Sequence, residues 1–330
     1  MAQMLSFGKK SAFIGALQGG VKKTSKIYFV DGLSGGDGGT YSVVATSPDH
    51  AFKSVGKTIG VLGTAGIATK NDVVYVLDRG TAGTTDPDPY VETGANLVIP
   101  VASQNLKLVG CPTSLDNPFM IQIKGHASAT TPVLTNYAPM VSIENLSFNR
   151  GASTSGGIYL ADEGDGVYSA QGTTISNCHF KNLRGSAAAA TSTGGGVVIR
   201  GGWNYLIKNS FFDDCRVGVW IDSGSASTVK WLRILGCHFA GTKTNRDVDI
   251  YMAGVCYSTE IDQCILADQP AYGGTGASAL YAILVGDGMI NAKFGCLAAA
   301  TFGAAGNAAH IPTTFFMAGC TKEAGAVART

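Results

Sequence analysis

A repeated six-residue motif is the feature of this sequence that most constrains its fold. Three copies start at Ile143, Ile175 and Ile207 and are equally spaced along the chain. Two more copies follow at a shorter, again constant spacing and start at Ile234 and Ile261. Weaker copies surround Leu108-Val109-Gly110-Cys111 and Gly295-Cys296. A period of this length is typical of a solenoid in which each repeat forms one structural unit.

A second β-rich run lies between successive copies of the motif. These runs occupy residues 157–160, 196–199, 218–221, 249–252 and 282–285. Two short runs per period, separated by glycine, predict a strand-turn-strand coil. One coil cannot bury its own apolar face, so coils must stack with like residues on like. The sequence therefore predicts an all-β parallel β-helix, and its seven anchors predict a stack about 29 Å long at about 4.8 Å per coil.

Each position of the motif has a predicted role. Isoleucine and phenylalanine point inward, and Asn145, Asn177 and Asn209 lie at a bend where asparagine tolerates left-handed backbone geometry. The eight cysteines could form four disulfides, but their spacing follows the strand repeat and not a small disulfide framework. We therefore expect buried free thiols, with four of them in the inward slot after the bend: Cys178, Cys237, Cys264 and Cys296.

Composition excludes several classes of protein. Only 14% of the residues are charged, the net charge is +1, and 45% are hydrophobic. A chain of this kind can bury a large core, which excludes wholesale disorder and a global nucleic-acid-binding charge. No apolar run reaches the roughly 18 residues of a membrane span. The absence of a CxxC pair makes zinc unexpected, and we expect neither a metal nor a cofactor.

Residues 1–26 form a predicted basic arm. They contain five lysines and no acidic residue, and apolar side chains are interspersed among the lysines. Such a segment suits an acidic partner surface with apolar anchor points. The residues predicted to make the attachment are Lys9, Lys10, Phe13, Lys22, Lys23 and Lys26.

The next segment, 27–68, is predicted to hold a first strand at 27–30, a glycine-rich loop and a helix. Ser47-Pro48-Asp49 has the signature of a helix start, and Phe52, Val55, Ile59 and Leu62 would form its apolar stripe. We expect this helix to cap the open end of the stack. The β-helix itself is predicted over 69–300, and 301–330 is predicted to hold a last strand or cap.

Several motifs in this opening region have counterparts in a known superfamily. They are Tyr28-Phe29-Val30-Asp31-Gly32, Gly36-Asp37-Gly38-Gly39, residues 51–59 and Val74-Tyr75-Val76-Leu77. With them, the chain resembles the pectate-lyase-like right-handed β-helix superfamily over about residues 27 to 300. That superfamily includes phage tailspikes and related virion proteins, and the chain is closest to these in character. The resemblance implies a right-handed parallel β-helix, but lyases, hydrolases and inert spikes all share that fold.

Three acids are the candidate catalytic residues. Asp213-Asp214-Cys215 resembles the Asp-Asp-Cys motif of polygalacturonases, although their His-Gly and Arg-x-Lys motifs are missing here. The stretch that ends in Asp222 resembles pectate lyases, with Ser223 in place of the histidine. Strand alignment also stacks Asp222 on Arg200, which favours a structural ion pair. A polysaccharide lyase or glycoside hydrolase is the alternative function that these acids leave open.

Five apolar residues are predicted to point outward: Leu206, Phe211, Trp231, Leu235 and Ile265. An outward apolar strip over adjacent coils marks an interface or a ligand groove, unless the alanine- and glycine-rich segment 185–196 folds over it. A closed three-fold assembly would hide such a strip, so we expect a homotrimer.

These features together predict a structural protein of a virus particle. The hypothesis is a trimeric phage spike or capsid decoration protein, assembled in the host cytoplasm. Its arm would bind other virion proteins of the capsid or tail, and its β-helix would face host surface polysaccharide.

Overall fold

The computed structural model describes most of the chain between residues 25 and 304. The described residues are 25–32, 36, 51–78, 89–91, 96–112, 121–126, 132–150, 156–161, 170–183, 195–222, 228–240, 248–266, 281–285, 289–290, 293–294, 297–298 and 302–304. Within these ranges the chain forms three sheets and one short helix. The five lysine and phenylalanine positions predicted for attachment before residue 25 lie outside the described residues, as does most of the predicted 301–330 cap.

The strands, numbered in chain order, fall into three sheets that the chain visits in rotation. Sheet I contains β1 (Ile27–Val30), β4 (Val73–Leu77), β7 (Lys107–Cys111), β10 (Ser142–Glu144), β13 (Thr174–Ser176), β16 (Gly202–Lys208), β19 (Thr228–Leu235), β22 (Val255–Tyr257), β23 (Glu260–Asp262), β26 (Met289–Ile290) and β27 (Lys293–Phe294).

Sheet II follows sheet I within each coil. It contains β5 (Tyr90–Val91), β8 (Gln122–Lys124), β11 (Ser147–Asn149), β14 (His179–Lys181), β17 (Phe211–Asp213), β20 (His238–Ala240), β24 (Cys264–Leu266) and β28 (Leu297–Ala298). Sheet III closes each coil. It contains β2 (Gly60–Val61), β3 (Thr64–Ala65), β6 (Leu97–Ile99), β9 (Leu134–Asn136), β12 (Ile158–Leu160), β15 (Gly195–Ile199), β18 (Val217–Ile221), β21 (Val248–Met252), β25 (Tyr281–Val285) and β29 (Phe302–Ala304).

The strand register confirms the repeat. Ile143 pairs with Ile175, and the column continues in parallel register through Ile207, Ile234 and Ile261. All five side chains are buried in one continuous core. Each coil thus covers the apolar face of the next, as the period predicts, and the fold is an all-β parallel β-helix.

Each coil has three strands, one more than the sequence predicts. The six-residue motif does not run straight, because its third residue has a left-handed backbone: φ is 56° at Asn145, 53° at Asn177 and 49° at Asn209. Gly236 and Gln263 continue this column, with φ of 62° and 55°. The predicted asparagine bend is therefore confirmed, and it divides the motif between sheets I and II.

A second left-handed column, which was not predicted from the sequence, lies two residues before β4, β7, β10, β13 and β23 and within β16 and β19. It has one member in each of seven consecutive coils: Asn71, Asn105, Met140, Gly172, Asn204, Trp231 and Ser258, with φ between 54° and 74°. Residues of two neighbouring coils are joined here, because the Asn105 amide Nδ2 donates to Asn71 Oδ1 over 2.9 Å. Left-handed residues therefore lie on both sides of the isoleucine column of sheet I.

A phenylalanine column fills the core beside sheet II. Successive rings are nearly parallel, with centroids 5.5 Å apart for Phe148 and Phe180, 4.8 Å for Phe180 and Phe212, and 4.7 Å for Phe212 and Phe239. Glycines of sheet III face these rings. A Cβ atom at Gly196 would lie 2.8 Å from Phe212 Cδ1, and one at Gly218 would lie 2.6 Å from Phe239 Cδ1. The close approach of backbone to ring explains why the second run starts with glycine in these coils.

The N-terminal helix is shorter than predicted and starts later. The helix α1 spans Val55–Ile59, and its N-cap is Ser54, whose Oγ accepts from the backbone N–H of Lys57 over 3.3 Å. Phe52 is extended and bridges to Val30, so the predicted apolar stripe mixes strand and helix residues. Leu62 is exposed beyond the helix end, and residues 47–50 lie outside the described ranges. Val55 and Ile59 are fully buried in the core, while the capping role of α1 stays a prediction.

The stack is longer than predicted. Strand β1 pairs in parallel with β4, so the first strand is itself a row of sheet I. Sheet I then has nine rows among the described residues, which span about 38 Å at about 4.8 Å per row. Strand β29 lies just beyond residue 300 and pairs with β25. None of the described helical segments is long and apolar enough to cross a membrane.

Candidate functional site

The five apolar residues predicted to point outward do not form one strip. Phe211 and Ile265 lie on sheet II, whereas Leu206, Trp231 and Leu235 lie on sheet I. Leu206 pairs with Arg233, and Leu235 pairs with Lys208 and Asp262, so these two half-buried leucines lie in separate outward rows among charged side chains. The structure therefore places the five residues on two surfaces, which are described in turn.

The first surface is an outward row along sheet II, which we call the sheet II row: His179, Phe211, His238 and Ile265, in register on four successive coils. The rings touch edge to face, with centroids 5.3 Å apart for His179 and Phe211 and 4.6 Å apart for Phe211 and His238. Ile265 is 50% exposed. Burial, with a smaller contribution from Lys181, lowers the pKa of His179 to about 4, so this imidazole is neutral at pH 7. The row therefore presents three aromatic rings and the aliphatic side chain of Ile265.

The second surface lies on strands β16, β19 and β22 of sheet I, where the second left-handed column crosses the sheet. We call it the tryptophan corner: Trp203, Asn204, Lys230, Trp231 and Tyr257. Trp231 is 57% exposed and Trp203 is 42% exposed. Trp203 pairs with Lys230, which pairs with Tyr257, and the Lys230 Nζ lies 6.0 Å from the centre of the Tyr257 ring. Trp203 was not among the residues predicted from the sequence. The sequence signal for Trp203 was its position directly before Asn204. Asn204 lies opposite Trp231 in the second left-handed column.

The backbone of Trp231 is unusual for its residue type. Its φ is 54°, a conformation that non-glycine residues other than asparagine and aspartate seldom adopt. Three other coils have asparagine at this position, Asn71, Asn105 and Asn204. A left-handed backbone costs about 1–2 kcal/mol for a residue with a Cβ. The exposed indole does not offset that cost by burial, and such strain is typical of functional positions.

The three candidate acids are not brought together. Asp213 ends β17 and Asp214 follows it, whereas Asp222 comes directly after the five-residue strand β18. Five strand residues span about 16 Å. Asp222 and the aspartate pair therefore lie beyond opposite ends of β18. Asp214 also has a structural role, because with φ 52° it repeats the left-handed bend that Asn182 makes in the preceding coil with φ 57°.

Basic residues lie in register with Asp213 and Asp222 in the adjacent coils. Burial and the neighbouring Asp214 raise the pKa of Asp213, and Lys181, its partner in the adjacent strand, opposes the change. The register places Asp222 beside Arg200, as predicted. The guanidinium Nη1 of Arg200 donates to the Tyr159 hydroxyl over 3.3 Å. No group of three metal-binding side chains occurs within the described ranges.

Comparison with known proteins agrees with this geometry. Residues 126–279 match the family described as right handed beta helix region. The chain is a right-handed parallel β-helix. The resemblance noted from the opening motifs is thus confirmed for the fold.

A search of curated proteins gives no match to this β-helix. One solved structure that it resembles is titled "Geobacillus virus E2 - ORF18", with 14% sequence identity and a TM-score of 0.42. The match covers 77% of this chain and 54% of that chain, so this chain spans about half the length of that one.

The thiols of the β-helix are free and buried wherever the structure describes them, as predicted: Cys111, Cys178, Cys215, Cys237, Cys256 and Cys264. Burial raises the pKa of Cys178 and of Cys256 to about 12. Cys296 lies outside the described residues, and the residue in register with Cys264 is Leu297. Of the predicted attachment residues only Lys26 is described. Its side chain is exposed, and its backbone N–H donates to Asp72 Oδ1 over 2.9 Å.

Proposed function

We propose that this β-helix is a structural protein of a phage particle, a homotrimeric spike or capsid decoration protein. It is attached to the particle through residues 1–26 and faces outward, toward host surface polysaccharide. The observation that carries the proposal is the sheet II row, an aromatic and apolar surface on the outside of four consecutive coils. The sequence resemblance to phage tailspikes supplies the viral context.

The sheet II row suits contact between identical subunits. Outward positions of a solvated sheet are normally polar, because alternate residues of a strand face water. Here Phe211 lies between two imidazoles, and Ile265 follows at half exposure. A cyclic assembly covers one such row on every subunit and leaves none open, whereas an unclosed contact would generate fibres.

We expect a native mass of three chains, and loss of the trimer when Phe211 is changed to aspartate. The carboxylate would place a charge in the subunit contact without disturbing the core, because Phe211 points away from it. Light scattering gives the mass, and far-ultraviolet circular dichroism checks the fold. Leu62→Asp is the control, since Leu62 is an exposed apolar residue outside this row. A monomeric wild-type protein would contradict the trimer.

The tryptophan corner is the surface proposed to contact glycans. An indole face attracts the partly positive C–H groups on one side of a sugar ring, because its quadrupole is negative over the face. Asn204 and Lys230 are exposed next to the indoles and can hydrogen-bond hydroxyl or carboxylate groups. An exposed tryptophan in a strained backbone is otherwise unfavourable for folding.

Changing Trp231 to asparagine should abolish glycan binding and leave the fold at least as stable as before. Asparagine occupies the same position in three other coils, so the left-handed backbone is retained at lower cost. Binding is measured on arrays of neutral and acidic bacterial surface polysaccharides, and stability by thermal unfolding. Met140→Asn is the matched control, because Met140 is exposed in the same column three coils away. Equal binding by wild type and Trp231→Asn would contradict this assignment.

Deleting residues 1–26 should abolish attachment to the particle and leave the trimer intact. The deletion removes five lysines and their apolar neighbours, while the sheet II row is untouched. The measurement is co-sedimentation of the truncated and full-length proteins with particles that lack this protein. Attachment of the truncated protein at the full-length level would exclude the arm as the attachment device.

A further inference from the structure

We propose that Cys237 and Cys264 form an oxidation site: hydrogen peroxide joins the two thiols into a disulfide that links adjacent coils of the β-helix. The inference goes beyond the proposed function and does not depend on it. It rests on the position of the two thiols in adjacent coils and on the difference between them and Cys178, which has no second thiol in register.

The two cysteines lie opposite each other in adjacent coils. Each follows the left-handed bend of its coil, at Gly236 and at Gln263, and each precedes a residue pair in register, His238 with Ile265. Both are 1% exposed. In-register neighbours in a sheet lie about 4.8 Å apart, which falls within the Cα separation of about 4.4–6.8 Å that a disulfide requires.

Each sulfur atom lies close to two backbone carbonyl oxygens. Cys237 Sγ lies 3.7 Å from the Ile207 oxygen of the preceding coil and 3.6 Å from the Leu235 oxygen of its own coil. Cys264 Sγ lies 3.5 Å from the Ile234 oxygen and 3.3 Å from the Asp262 oxygen. The interaction between the two thiols raises the pKa of Cys237 and lowers that of Cys264. Cys264 is therefore the thiol that more readily provides a thiolate.

The oxidation balances in two steps. The Cys264 thiolate attacks hydrogen peroxide, breaks the O–O bond and becomes a sulfenic acid, with release of one water after proton uptake. The Cys237 sulfur then attacks the sulfenic sulfur, the S–O bond breaks, and a second water leaves with the thiol proton. Overall, two thiols and one peroxide give one disulfide and two waters.

The site differs from the next cysteine of the same column. The inward slot after the bend holds Leu146, Cys178, Ser210, Cys237 and Cys264 in successive coils. Cys178 therefore has leucine and serine as its in-register neighbours. It is equally buried, and the hydroxyl of Ser210 accepts from its backbone N–H over 3.2 Å. Cys178 serves as an internal control, a buried thiol with no second thiol in register on either side.

Peptide mapping of the full-length protein after hydrogen peroxide treatment tests the proposal. Free thiols are alkylated under denaturing conditions without reductant, and the protein is cut with trypsin and a glutamate-specific protease. Cleavage at Glu260 separates Cys256 from Cys264, and cleavage at Lys243 and Arg246 separates Cys237 from both. We expect one linked pair, Cys237 with Cys264, about 2 Da lighter than the two reduced peptides and split by dithiothreitol, while Cys178 remains alkylated.

The matched variant is Cys237→Ser, in which the serine hydroxyl takes a slot that Ser210 already fills in the preceding coil. It should fold, keep Cys264 alkylatable or singly oxidised, and yield no linked peptide. Full alkylation of Cys237 and Cys264 in the treated wild type, or oxidation of Cys178 to the same extent, would overturn the proposal.

Discussion

Replacing Phe212 with alanine is expected to remove about 3–5 kcal/mol from the free energy of unfolding, because it deletes the middle ring of the buried phenylalanine column. The ring stacks on Phe180 at 4.8 Å and on Phe239 at 4.7 Å, and Gly196 packs against its edge. The cavity would lie between two further rings that neighbouring coils hold in place, so collapse cannot fill it. Denaturant unfolding followed by circular dichroism measures the loss.

The adjacent residue provides a control of the same type. Phe211 points outward from the same strand, so Phe211→Ala should cost less than about 1 kcal/mol in the isolated chain, as for a surface substitution. Its effect should appear in the assembly state. Equal destabilisation by the two alanine variants would mean that the inward and outward assignments on sheet II are wrong.

Changing Gly196 to alanine is expected to have the next largest effect on stability after the loss of Phe212. The added methyl group would lie 2.8 Å from the Gly218 carbonyl oxygen and 2.8 Å from Phe212 Cδ1. Both neighbours belong to the packed interior, so the strand must move. Overpacking of this kind typically costs about 1–3 kcal/mol. The measurement is again denaturant unfolding.

The control for this substitution is the preceding residue. A Cβ atom at Gly195 would come no closer than 3.3 Å to its neighbours, so Gly195→Ala should have a smaller effect. The double variant Gly196→Ala with Phe212→Leu should lose less stability than the two single variants added together, because the smaller side chain makes room for the methyl group. Strict additivity would argue against direct contact between ring and backbone.

The repeat predicted the core of this fold well, for a physical reason. In-register stacking forces each inward position to be filled by a similar side chain in every coil, so the isoleucine and phenylalanine columns are visible as a period. The bend at Asn145, Asn177 and Asn209 was also visible, because asparagine tolerates the left-handed backbone that the corner requires. Handedness came only from the resemblance to a known superfamily.

The second left-handed column escaped prediction because its composition is mixed. Methionine, glycine, tryptophan and serine fill four of its seven positions, and only the backbone geometry unites them. The helix was misplaced for a related reason: Ser47-Pro48-Asp49 is a good local start signal, but Phe52 pairs with Val30 as a strand residue, so tertiary pairing overrode it. Local propensity is weaker than long-range packing at such places.

The candidate site was predictable residue by residue but not as surfaces. Alternation along a strand gives Ile265 and Trp231 as outward residues, and both are exposed. Alternation does not reveal which sheet a residue belongs to after the motif bends. The sequence therefore places Phe211 and Leu235 in one strip, although they lie on different sheets. Predicting the tryptophan corner requires the register between β16 and β19, which the spacing of motifs in the sequence does not give.

The bend between sheets I and II keeps one length in consecutive coils that themselves differ in length. Two residues separate the sheets after each of β10, β13, β16 and β19, whereas residues 78–89 and 112–121 make this connection in the earlier coils. From β10 to β20 the difference in coil length is therefore absorbed outside this bend. The loops outside the bend can therefore be lengthened, or a whole coil duplicated, without a change in the bend between sheets I and II. A designer could extend the rod by inserting a copy of residues 143–174 at the same place.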